Sequence, residues 1–170
     1  MLGSYKQDGF TSGLVTMSTA EVFDTLGKVY PQLPSYFYSL PHEGIYNKVN
    51  PQQGKYGFFG VNGNKAISAY EYDLAYNFSN CLAPVKKNGK GYINAQKKLA
   101  IEFQFDDASA FSEGLAVVKV GKKKGVINTQ GQFVVQPRFD TLTDFQHGVA
   151  KVTLNNDFFY IRADGKILKE

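Results

Sequence analysis

Tryptophan is missing from this chain, and the residues that most often carry catalysis or metal chemistry are scarce: one Cys, two His and two Met in 170 residues. A single Cys81 excludes a disulfide framework and a thiolate metal site, and is expected as a small buried side chain. His42 and His147 have no metal-ligand spacing around them and are expected in loops. No P-loop, dinucleotide fingerprint or nucleophile elbow is found. The expectation is therefore a non-enzyme, with no catalytic residues, no cofactor and no metal. No apolar run reaches the 18 residues or so that would span a bilayer. Residues 1–13 are polar and lack the apolar stretch of a secretory signal, so a cytoplasmic location is expected.

What the chain does have is aromatic and glycine content. Fourteen Phe and eleven Tyr accompany 17 Gly, a mixture that favours strands and tight turns. A hydrophobic fraction of 43% is enough for a folded core in a chain of this length. The net charge of +4 permits an acidic partner without demanding one.

The stronger signal is internal repetition. Phe78-Ser79, Phe111-Ser112 and Phe145-Gln146 are spaced by 33 and 34 residues, each followed by an apolar run beginning at Leu82, Leu115 or Val149. Phe59, Ile93, Ile127 and Ile161 keep a 34-residue step, as do Gly63, Lys97, Gly131 and Gly165. Gly57, Gly91 and Gly125 follow it too, and Phe159 interrupts the series. The first copy carries about four extra residues around Asn50-Pro51-Gln52-Gln53-Gly54.

Within the third copy, residues 115–120, 125–128 and 133–135 read as three strands, with turns at Gly121-Lys122-Lys123 and Thr129-Gln130-Gly131. Gly131 is expected to supply a positive φ, and Pro137 to stop the third strand. The Phe/Tyr-Asp pairs at Asp73, Asp106 and Asp140 suggest an aromatic anchor followed by an Asx-type cap on the next loop.

The pattern Phe-Ser-Glu-Gly-Leu-Ala-Val-Val, Lys-Gly-Val-Ile-Asn-Thr-Gln-Gly and Val-Val-Gln-Pro-Arg-Phe-Asp resembles the WG-repeat family of bacterial β-repeats over residues 38–170, most clearly over 105–140. The Trp place of the family is held by Tyr56, Lys90, Lys124 and Phe158, while its Gly persists as Gly57, Gly91 and Gly125. The resemblance implies repeated β units and binding rather than catalysis, with no fixed substrate.

The expected architecture is all-β: antiparallel three-strand units joined in series into a curved solenoid-like or propeller-like array. A segment over residues 1–36 precedes four units at about 38–71, 72–104, 105–138 and 139–170. Ser18 with Glu21 and the spacing of Val22, Phe23, Leu26 and Val29 predict a capping helix over about 19–29, stopped by Pro31, with a short strand at residues 14–17 before it.

Two candidate binding surfaces follow. One is a basic rim of hairpin tips: Lys86, Lys87 and Lys90, then Lys122, Lys123 and Lys124, against which stands the ordinary role of charge in keeping sheet edges apart. The other is a Tyr-rich face including Tyr36, Tyr38 and Tyr46, whose rings could equally fill the core. Glu43 and Glu113 occupy equivalent places, where a structural role in the turn is favoured over a catalytic carboxylate pair. The functional expectation is non-enzymatic protein binding, with a bacterial immunity protein that neutralises a toxin as its most concrete form. The alternative is a carbohydrate- or cell-envelope-binding module. No membrane partner is expected, and nucleic acid is disfavoured because few aromatics interleave with the lysines.

Overall fold

A computed structural model describes residues 44–60 and 66–168, together with the backbone of residues 14–16 and 22–24. All regular structure among these residues is β. β1 (Leu14–Thr16) and β2 (Val22–Asp24) form a small antiparallel hairpin. The strand expected near residue 14 is therefore present. The helix expected over 19–29 is corrected at residues 22–24, which are extended; the other residues of that segment lie outside the described ones. The reason is local: Val22 and Phe23 are strand formers, and they pair with Thr16 and Val15 rather than continuing a helical turn.

β3 (Ile45–Asn50) and β4 (Lys55–Gly60) make the first repeat hairpin. The extra residues fall in its tip, where the Gly54 N–H donates to the Asn50 carbonyl at 2.8 Å. The second unit is a four-stranded meander of β5 (Leu74–Ala75), β6 (Leu82–Lys86), β7 (Lys90–Asn94) and β8 (Leu99–Phe105). The third comprises β9 (Asp107–Ala108), β10 (Leu115–Val120), β11 (Lys123–Asn128) and β12 (Phe133–Phe139). The fourth comprises β13 (Thr141–Leu142), β14 (Val149–Leu154), β15 (Asp157–Arg162) and β16 (Ile167–Leu168).

The second, third and fourth units thus carry a fourth strand beyond the three expected, while the first shows two among the described residues. β5, β9 and β13 are two residues long, too short for any propensity pattern, and form where the chain enters the next sheet. Pro137 does not stop the third strand either: β12 runs through it to Phe139. β12 lies at the sheet edge and is shifted in register against β11, so the missing N–H of proline costs no ladder bond.

Consecutive sheets pack face to face, which explains why the strands read as continuous apolar runs. In β10, Ala116 and Val118 join Tyr92, Ile101 and Phe105 of the preceding unit. The alternate residue, Val117, joins Val152 and Ile161 of the following unit. A third cluster links Phe58 and Tyr72 to Phe78, Val85 and Ile93.

One aspartate separates the second sheet from the third, and one the third from the fourth. Asp106 lies between β8 and β9, and Asp140 between β12 and β13, each preceded by a buried Phe. These carboxylates accept from Gly121 N–H at 2.6 Å and Asn155 N–H at 2.9 Å, at the tip of the next hairpin, rather than two residues on as in an Asx-turn. The Asx geometry falls instead to Asn94 and Asn128, whose side chains accept from the turn N–H groups of residues 96 and 98 and of 130 and 132. Gly131 in that turn has φ of 79°, as expected.

The family glycine has a steric cause. A Cβ on Gly125 would lie 2.6 Å from the Val135 carbonyl oxygen, and one on Gly91 would lie 2.6 Å from that of Ile101. At the fourth place β16 pairs with Tyr160 and Ile161, short of Phe159, whose ring instead packs on Phe139 with centroids 6.0 Å apart.

Candidate functional site

The two-residue turns before β6, β10 and β14 staple one unit to the next. Each holds two successive residues at positive φ: Asn80-Cys81, Glu113-Gly114 and His147-Gly148. This left-handed pair is what a two-residue hairpin turn requires. Ser79 Oγ donates to the Phe111 carbonyl at 2.7 Å, and Ser112 Oγ to that of Phe145 at 3.1 Å. The Glu113 carboxylate accepts from His147 N–H at 2.6 Å and Gly148 N–H at 2.7 Å. Glu113 therefore has a structural role, and Glu43 lies outside the described residues. Cys81 is exposed, which corrects the expectation of burial. It occupies the turn place of Gly114 and Gly148, where a Cβ on Gly114 would meet nothing within 4 Å.

The basic tips do not form one uniform rim. Lys87 pairs with Glu71 at 2.8 Å and Lys123 with Asp140 at 2.6 Å. Lys90 is buried and pairs with Asp107 of the next unit, with its ammonium 5.2 Å from the Tyr76 ring centroid. Hydrogen bonding to Lys90 holds the Asp107 carboxyl below the usual aspartate range. Lys123 does the same for Asp140, helped by the Asn155 N–H. Lys86 and Lys122 are exposed. Tyr46 is 2% exposed and packs on Phe59, so it belongs to the core. Tyr36 and Tyr38 lie outside the described residues, as does His42.

Lys124 is placed differently. It lines a groove of about 910 Å3 that runs across the second, third and fourth units. Repeat-equivalent positions recur along it: Tyr76, Ser109 and Thr143 in one row, Lys90 and Lys124 in another. Lys119 and Lys151 add positive charge, Asp107 and Asp144 negative charge, and Tyr160 closes one side. No ion pair among the described residues reaches Lys119, Lys124 or Lys151. Under the groove wall the Tyr92 hydroxyl donates to the Ser109 carbonyl at 2.7 Å, and burial raises its phenol so that it stays a donor.

A family model for the WG containing repeat matches residues 56–90, 91–123 and 125–157, together more than half of the chain. The chain belongs to the WG-repeat family. Searches of curated proteins and of solved structures gave no match. In this WG-repeat chain two of the four Trp places, Lys90 and Lys124, are lysines that line the groove. Sequence reasoning found both but missed Lys119, Lys151, Asp107 and Asp144. A usable signal was present: Lys55 with Asp73, Lys90 with Asp107 and Lys123 with Asp140 recur at separations of 17 or 18 residues.

Among the described residues no group of three or more His, Cys, Asp or Glu is placed to hold a metal ion. The groove does bring His147, Asp107 and Asp144 to one concavity. Asp107 is engaged by Lys90, and its lowered pKa suits a fixed anion rather than a proton donor.

Proposed function

We propose that this WG-repeat chain is a non-enzymatic protein-binding module that holds its partner in the groove across the second to fourth units. The observation that carries this reading is the groove itself, built from recurring positions, with lysines that lack ion pairs among the described residues and tyrosines on its walls. Tyrosine suits such a surface because it buries apolar area and keeps a polar tip. We read the units as a curved series, solenoid-like or propeller-like, in which Phe58, Tyr92 and Val126 are each buried by the next unit. A bacterial immunity protein that neutralises a toxin by direct binding is the most concrete form of the role.

The test is affinity capture from the source organism's lysate with the native chain and with a Lys124→Glu/Lys151→Glu variant of unchanged melting temperature. A protein held by the native chain and lost by the variant supports binding through the groove. Capture that ignores the substitutions, or no capture, counts against it. Growth rescue on co-expression with the captured protein would extend the reading to immunity. A carbohydrate-binding role is favoured by one specific feature, the exposed rings of Tyr76 and Tyr160 along the groove. Binding on a glycan array that is lost in Tyr76→Ala would select it.

A further inference from the structure

The protein-binding reading can be sharpened by comparing the third unit with the second. Cross-strand neighbours in an antiparallel ladder share a face. Lys86 lies opposite Lys90 in the second unit, and Lys119 opposite Lys124 in the third. Each is a like-charge pair, which by itself is unfavourable. In the second unit Lys90 is neutralised by Asp107, 17 residues beyond it at the start of the next sheet. The same step from Lys124 reaches Thr141 at the start of β13. Thr141 brings no charge, and its hydroxyl bonds that of Thr153 at 2.7 Å. Asp107 stands opposite Lys119 on β9, but its carboxylate is held by Lys90 of the preceding unit. Three lysines thus share one counter-ion, and no ion pair among the described residues reaches Lys119 or Lys124. Both lysines line the groove, as does Lys151 of the next unit.

We propose that this position is a carboxylate-binding subsite, and that the groove takes an acidic, extended peptide segment of a protein partner. An Asp or Glu side chain from the partner would stand beside Lys124 as Asp107 stands beside Lys90 one unit earlier, with Lys119 as its cross-strand neighbour. The other charges favour peptide over nucleic acid. Asp107 and Asp144 also line the groove; they repel a continuous phosphate backbone but can accept N–H groups of a peptide. Tyr76 and Tyr160 provide walls for its apolar parts.

The variant that separates this idea from general positive charge is Thr141→Asp. It removes no lysine and installs beside Lys124 the counter-ion that Lys90 already has, at a place where Asp107 shows that Asp fits. The probe is a fluorescein-labelled hexaglutamate peptide, followed by anisotropy at low and moderate salt. The native chain should bind. Thr141→Asp and Lys124→Gln should each weaken binding by at least about tenfold, the factor one charge-assisted hydrogen bond supplies. Lys98→Gln, an exposed lysine outside the groove, should match the native chain. Circular dichroism on every variant checks folding. No binding by the native chain, equal loss in Lys98→Gln, or undiminished binding in Thr141→Asp overturns the proposal. Tighter binding of hexauridylate, weakened by the same variants, overturns the peptide assignment in favour of phosphate. The proposal rests on the protein-binding reading but can fail separately: capture of a partner lost in the Lys124→Glu/Lys151→Glu variant, with no hexaglutamate binding, leaves the groove reading standing and removes the acidic peptide.

Discussion

Lys90 and Asp107 form an ion pair across a unit boundary in which the cation is buried and the anion is mostly exposed. The side chains are 10% and 56% accessible. The two partners are consequently unequal in what their removal does. Asp107→Asn leaves a buried ammonium without its counter-ion, and should destabilise the chain by about 1–2 kcal/mol, the low end for a buried pair because the aspartate is half in water. Lys90→Met keeps the packing and removes the desolvated charge, and should be neutral or stabilising. Urea midpoints of the two variants check the asymmetry; equal losses would contradict it.

Gly125→Val should be strongly destabilising. Its Cβ would sit 2.6 Å from the Val135 carbonyl oxygen and 2.8 Å from the Pro137 nitrogen, both backbone atoms that cannot swing away. The expected loss is about 3 kcal/mol or more, at or beyond the upper range for overpacking. An unchanged melting temperature would refute the close approach of β11 and β12.

Cys81→Gly should raise stability by about 1 kcal/mol, since Cys81 holds φ of 63° where the equivalent turns carry Gly114 and Gly148. Thermal unfolding of the two chains under reducing conditions reads this directly. A lower melting temperature would show that the Cys side chain contributes more than the turn strain costs.

Glu113→Ala should loosen the third unit from the fourth. Two N–H groups, of His147 and Gly148, lose their carboxylate acceptor. Hydrogen exchange at residues 147 and 148 should quicken, while exchange at Val126 and Ile127, in the core of the third sheet, should change little.

Acid should weaken the chain through its paired aspartates. Lysine hydrogen bonds lower the pKa of Asp73, Asp107 and Asp140 in the folded state. A depressed folded value means that the stabilisation is complete above the unfolded value, about 3.9, and is lost as pH falls through the folded one. Melting temperature should therefore decline below about pH 4. The Asp140→Asn variant, with one contributor removed, should decline less steeply.

The sequence made the register legible because packing imposes it. Ile93, Ile127 and Ile161 recur every 34 residues and are all buried, and Gly131 turns with the positive φ that its place in the pattern required. What escaped was whatever depends on meeting another unit. β9 and β13 have two residues each and exist because β10 and β14 offer an edge. Val22 and Phe23 satisfy a helical spacing as well as a strand, and their pairing with β1 decides between them. The lysines at the hairpin tips were visible as charge, but which are neutralised depends on acids in the following unit. The groove draws residues from three units, and no local window contains Lys90, Lys124 and Lys151 together.

The single aspartate between sheets has a consequence for how such a chain can change length. Asp106 and Asp140 leave no slack, and the faces of the second and third sheets are completed by the sheet that follows. Insertions or deletions of part of a unit would put apolar side chains on the wrong face or leave a Phe anchor without its sheet. Growth is thus quantised in steps of about 34 residues, the repeat spacing itself. Smaller additions are absorbed at a hairpin tip, as residues 51–54 are in the first unit. A groove made of recurring positions lengthens by the same quantum, so duplication of one unit would extend the reach for a ligand without redesign of the rest.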